Sequence, residues 1–144
     1  MKLNKNSNSK VVFFTEKARA LGGQELQALE QMVALKDLHY KVLLFCSYAS
    51  GIATRAKDLG IDVIHLEFLN GFDLKTSLKF AKYIQMYQPI AIMAHGSHDA
   101  ILSVYGIWFA KFFFGVRKIK IFRIKTYQHG RPFFFHYNFF FQRP

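Results

Sequence analysis

The sequence predicts an α/β fold: a parallel sheet with helices on both faces, in a doubly wound, three-layer sandwich. Three observations predict it. Short apolar runs alternate with segments of helical spacing, in the order β-α-β-α-β-α-β-α-β. Each link between successive strands is long enough for one helix, as a right-handed crossover between parallel strands requires. The run 90–94 behind Pro89 is continuously apolar, which suits a strand covered on both faces. The usual order for such a sheet is 3-2-1-4-5. It sets strands one and four side by side, with a crevice between the loops that leave them.

Residues 10–15 (Lys-Val-Val-Phe-Phe-Thr) form the first expected strand, and Gly22-Gly23 breaks the pattern after it. From Gln24 the spacing is helical, with Ala28, Leu29, Met32, Val33 and Leu35 on one stripe. Residues 41–47 are the second strand, and 52–59 a short helix with Gly60 in the place of a C-terminal cap. Residues 61–66 are the third strand, followed by a turn at Asn70-Gly71. Asp73 is the expected N-cap of a helix whose buried stripe reads Leu74, Leu78, Ala81 and Ile84. Pro89 ends that helix. After the fourth strand, residues 99–114 read as a helix closed by Gly115, and 118–125 alternate apolar and basic residues like an outer strand.

The helix rich in Trp108, Phe109, Phe112, Phe113 and Phe114 is interrupted by Lys111. It falls short of the ~20 apolar residues of a membrane span, so a buried core helix is expected. The 144 residues suffice for one domain with a real core, placed at 10–125. A polar segment, 1–9, precedes it, and a basic, Phe-rich segment, 126–144, follows.

An apolar share of 51% excludes a disordered chain. Cys46, the single cysteine, has no partner for a disulfide or a zinc site and reads as a core residue in a reducing compartment. Residues 1–9 lack an apolar run and do not read as a signal peptide. A cytoplasmic protein is expected, or one peripheral to the inner face of the membrane.

The formal charge is +11, and all nine acids lie at or before Asp99. Residues 1–110 carry a net +3 and residues 111–144 a net +8, together with the blocks Phe133-Phe134-Phe135 and Phe139-Phe140-Phe141. Basic plus aromatic residues suit an anionic surface, or else packing against a part not in this chain. Nucleic acid fits less well than a membrane, because the aromatics come in blocks instead of alternating with cations as a stacking platform does.

Two loops carry candidate chemistry. Gly22-Gly23-Gln24-Glu25 opens a helix after a strand, so backbone N–H groups there are able to meet an anion. An ordinary glycine turn explains the same residues, and the three-glycine dinucleotide fingerprint is absent. His95-Gly96-Ser97-His98-Asp99 leaves the fourth strand. Placed at the switch point, the His95 imidazole is expected to reach the cleft and hydrogen-bond a hydroxyl or phosphate; a bond to a backbone carbonyl is the plainer alternative. His98 and Asp99 read as surface or capping groups, and Asp99 complements the helix dipole. Three near-adjacent residues seldom converge on one metal ion, and Ser97 lacks a nucleophile elbow.

The ordered set is more specific than its parts: Leu21-Gly22-Gly23-Gln24-Glu25 before a helix, Lys57-Asp58-Leu59-Gly60-Ile61-Asp62-Val63, Gln88-Pro89, a strand, His95-Gly96-Ser97, and Gly115-Val116-Arg117-Lys118. From 10 to 125 it resembles the N-terminal, Rossmann-like domain of GT-B glycosyltransferases, in the subfamily-four-like group that builds bacterial surface polysaccharides such as lipopolysaccharide and capsule. The resemblance implies an acceptor-side domain facing a nucleotide-sugar donor across an interdomain cleft, with a saccharide or lipid-linked acceptor and no cofactor. By resemblance His95 is the cleft histidine with the catalytic role. Gly22, Gly23 and Gln24 form the glycine loop, Gly96 and Ser97 the opposite one, and Lys125 faces acceptor or phosphate. The leaving diphosphate would be stabilised by backbone N–H groups and cations. Two features depart from the family: a second Rossmann domain and a Glu-x7-Glu pair are not in this sequence. The resemblance therefore implies a fragment, inactive without that domain or a partner chain. A non-enzymatic Rossmann- or flavodoxin-like binding module with a membrane-associating tail is the alternative.

Overall fold

The structure, a computed structural model, describes residues 9–17, 20–67, 73–116 and 118–124. Its elements run β1 (Val11–Glu16), α1 (Gly23–Asp37), β2 (Lys41–Cys46), α2 (Gly51–Asp58), β3 (Asp62–His65), α3 (Leu74–Tyr87), β4 (Ala91–Ala94), α4 (Ser97–Phe114) and β5 (Lys120–Arg123). The five strands form one parallel sheet in the order β3-β2-β1-β4-β5, as the crossover argument requires. Residues 126–144, Lys125 and the Asn70-Gly71 turn lie outside the described residues.

The two-residue period of β1 divides the core. Val12 and Phe14 join Leu44, Ala28, Met32, Ile52 and Ala56 under α1 and α2. Phe13 turns the other way, onto Phe45, Phe80, Ile84, Leu102 and Ile107 under α3 and α4. Phe13, Phe45 and Phe80 meet as a ring cluster with centroids 4.7 to 5.8 Å apart. Cys46 is buried, and burial pushes its thiol up to about 11, so it is an inert core group.

Helix ends follow local chemistry. Asp73 caps α3 by accepting the Thr76 N–H at 3.0 Å. Gly60 (φ 68°) and Gly115 (φ 64°) take the left-handed conformation past the ends of α2 and α4.

Two expectations need correction. The buried stripe of α3 is Ser77, Phe80, Ala81 and Ile84, while Leu74 and Leu78 are exposed. The Thr76 hydroxyl lies 3.1 Å from the Glu67 carbonyl and 2.7 Å from Asp73 Oδ2, which turns the polar side of the first turn inward. Nor is α4 buried all round. Leu102, Gly106, Ile107 and Ala110 face the core, but Trp108, Phe112 and Phe113 are 56, 71 and 57% exposed. Residues 100–110 carry no charged side chain, so the pattern there offers little contrast between the outer side and the half the sheet covers.

Candidate functional site

Strands β1 and β4 are neighbours, with Val12 opposite Ala91 and Thr15 opposite Ala94. Their outgoing loops therefore meet at the carboxyl edge of the sheet. Between them lies a cleft of about 440 Å³, lined by Glu16, Lys17, Gln24 and Glu25 from one loop and Gly96, Ser97, His98 and Asp99 from the other. The opposed loops expected from the strand order share this one cleft. Gln24, Gly96 and Ser97 line it; Gly22 and Gly23 are exposed on the first loop.

The two loops use the same device. Each has a glycine at the helix N-cap and an acid three residues on that folds back onto it. Glu25 Oε2 accepts the Gly22 N–H at 2.7 Å, and Asp99 Oδ2 accepts the Gly96 N–H at 3.0 Å. A Cβ at Gly96 would sit 2.6 Å from Asp99 Oδ2, and one at Gly22 3.0 Å from Glu25 Oε2. Both glycines thus give a carboxylate room to approach the backbone. One N–H of each loop, that of Gly22 and that of Gly96, is engaged by the chain's own acid.

His95 does not line the cleft. Its imidazole is 4% exposed and stacks on Phe14 with centroids 5.8 Å apart. Neither ring nitrogen has a hydrogen-bond partner among the described residues. Burial pushes its pKa down to about 4, although the Glu25 charge pulls the other way, so the ring is neutral near pH 7. Asp99 is 1% exposed. Burial pushes its carboxyl up to about 6 against the N–H groups of Lys17 and Gly96 and the charges of Lys17 and His98.

The sequence reading missed Arg123. Its Nη2 donates to Ser97 Oγ at 2.6 Å, bringing a cation from β5 to the start of α4. The alternating run 118–125, whose Lys125 the resemblance singles out, contains Arg123 two residues earlier, on the same side of an extended chain. Lys125 itself lies outside the described residues. Further along the same edge, exposed Tyr48 stacks on His65 at 4.7 Å, and Lys57 Nζ lies 3.2 Å from His65 Nε2. Among the described residues no group of His, Cys, Asp and Glu is placed to hold a metal ion.

No family model matches the chain, and no curated protein matches it in sequence. Solved structures do. A glycosyltransferase from Rickettsia africae ESF-5 is 16% identical with a TM-score of 0.60, over 81% of this chain and 30% of that one. MurG from Acinetobacter baumannii is 16% identical with a TM-score of 0.61, over 81% of this chain and 35% of that one. HepE from Anabaena, solved with UDP and glucose, is 15% identical with a TM-score of 0.57, over 69% of this chain and 27% of that one. The chain spans about a third of the length of the first two. At these identities the likeness is one of fold, and the 144 residues carry the Rossmann-like α/β architecture found within these larger proteins, a solved glycosyltransferase among them.

Proposed function

We propose that this chain is the acceptor-side domain of a glycosyltransferase that uses a nucleotide-sugar donor, in surface polysaccharide synthesis. The observation that carries the reading is the carboxylate-lined cleft at the switch point of β1 and β4. Glu16, Glu25 and Asp99 outnumber Lys17 along its walls. Carboxylates accept hydrogen bonds from sugar hydroxyls and repel a diphosphate, so the lining suits a neutral saccharide better than the donor's phosphates. Arg123, bonded to Ser97, brings a second cation beside Lys17 for the donor side. His95, neutral and enclosed, would shape the wall between the loops from behind.

Saturation-transfer NMR on the full chain tests this, with N-acetylglucosamine as acceptor probe and UDP-N-acetylglucosamine as donor. Saccharide contact that Glu25→Gln weakens, with no UDP release by the chain alone, is the expected result. Robust UDP release by the 144 residues would contradict an acceptor-only role, and no saccharide contact would contradict the reading as a whole.

A further inference from the structure

The two helical layers differ in charge. On the side of α1 and α2, exposed acids (Glu30, Asp37, Asp58) stand among the bases. From Leu74 to Ile124, which spans α3, α4 and β5, the one acid is Asp99, and it is buried. In that stretch Lys75, Lys79, Lys82, Lys111, Lys118 and Lys120 are all exposed. Along this stretch of chain the exposed charges among the described residues are all cations, while exposed Asp62 and Glu67 stand beside α3 from the β3 edge.

The same layer exposes apolar surface. Ile101, Val104, Trp108 and Phe112 recur at helical spacing down the outer side of α4, 36 to 71% exposed. Trp108 and Phe112 stack at 5.6 Å, and Phe113 stands edge-on to Phe112 at 5.0 Å. A continuous apolar, aromatic stripe is unusual on a surface meant for water. Its aromatic end is the C-terminal end of α4. There Lys111 projects and Lys118 follows the Gly115 cap; Lys120 of β5, opposite Ala91, faces the side of α1 and α2 instead. The cleft sits at the opposite end of α4, by Ser97.

We infer that the outer face of α4 docks on an anionic lipid bilayer, with Trp108, Phe112 and Phe113 entering the headgroup boundary and Lys111 and Lys118 on the phosphates. Charge selects this occupant. A second copy of the same face would set cations against cations, whereas an anionic membrane supplies the missing negative charge and an apolar boundary together. Among the described residues no helix is long and apolar enough to cross a membrane, so contact is from one side. Docked this way the chain keeps its cleft at the end of α4 away from the aromatic anchor. The inference does not rest on glycosyl transfer.

Trp108 is the chain's single tryptophan, so its fluorescence reports on this face alone. The full chain is mixed with vesicles of equal parts phosphatidylglycerol and phosphatidylcholine, or of phosphatidylcholine only. A blue shift and quenching by brominated lipid are expected with the anionic vesicles, weakening as salt rises. Phe112→Ser with Phe113→Ser should weaken vesicle co-sedimentation at least about tenfold, as loss of two anchoring rings implies. Lys111→Gln with Lys118→Gln should weaken it roughly thirtyfold at low salt. Circular dichroism of each variant confirms the fold. Binding that leaves Trp108 open to aqueous quencher, or that falls only when the phenylalanines of 133–141 become serine, would overturn the inference. So would tighter binding to RNA than to vesicles. A monomer–dimer equilibrium abolished by the Phe112 and Phe113 changes, with no vesicle effect, would point to a second copy instead.

Discussion

His95 and Asp99 lie four residues apart and are displaced in opposite senses by one cause, burial. The His95 pKa falls from 6.5 to about 4 on folding, so the unfolded chain takes up the proton first. Its contribution is intact above pH 6.5 and is lost as pH falls toward 4. Asp99 rises from 3.8 to about 6, so the folded chain keeps a proton that the unfolded chain has released. Its contribution is intact below 3.8 and is lost as pH rises through 6. Between those limits the two slopes oppose, each at most about 1.4 kcal/mol per pH unit. Asp99→Asn is therefore expected to steepen acid destabilisation from pH 6.5 down to 4, and His95→Asn to reverse it into a gain. Urea unfolding across that range reads both, and parallel profiles for the two variants would refute the assignment. The position of His95 was legible in the sequence, but the direction of its ring was misread. Counting by two from Met93, which packs under α1 and α2, puts residue 95 on that same inward face beside Phe14. The glycine–acid pairs were also visible, at 22 and 25 and at 96 and 99, yet only geometry shows each acid on its glycine's N–H.

At the scale of elements, the contact between α3 and α4 turns on Gly106. Its backbone is ordinary helix, so conformational freedom is not the reason for glycine. A Cβ there would stand 2.6 Å from Phe80 Cδ1, and Phe80 is fully enclosed by the ring cluster. Alanine would gain up to about 1 kcal/mol of helix propensity and meet an overpacking cost of ~1–3 kcal/mol. Gly106→Ala is expected to destabilise by roughly 1–2 kcal/mol in urea unfolding. Adding Phe80→Leu should recover part of that loss; additive losses would mean the clash is not the cause. Asp73→Ala removes the cap of α3 and should cost about 1 kcal/mol, by the same measurement. Element boundaries were legible where a capping residue marks them, as at Asp73, Gly60 and Gly115. The buried stripe of α3 was not, because Ser77 belongs to it and a polar residue carries no inward signal. For α4 the opposite failure holds: apolar residues lie on every side from 100 to 110, and little names the outer face before the exposed Lys111.

For the whole molecule, strand order was legible because connection length and crossover handedness leave few arrangements of five strands and four helices. The cleft followed from that order, with no side chain needed to find it. The cation at its rim did not follow, because Arg123 and Ser97 stand 26 residues apart, at the end of β5 and the start of α4. Sheet position also implies an order of stability. β1 is central, with Val12, Phe13 and Phe14 all buried. Among the described residues β5 is an edge strand of four residues, paired to β4 alone, with Lys120, Phe122 and Arg123 exposed. Local opening of β5 breaks one ladder and uncovers little apolar area, whereas opening β1 breaks two ladders and both cores. Native-state amide exchange should therefore be slowest at Phe13, Phe14 and Leu44, close to the limit set by global unfolding. It should be faster by orders of magnitude along β5. Arg123 then sits on the strand that opens most readily, held toward the site by Ser97 on α4. Removing that hydroxyl with Ser97→Ala should speed exchange in β5 and leave β1 unchanged. Equal protection of β1 and β5, or a Ser97→Ala effect spread evenly over the sheet, would mean that the edge and the centre open as one unit.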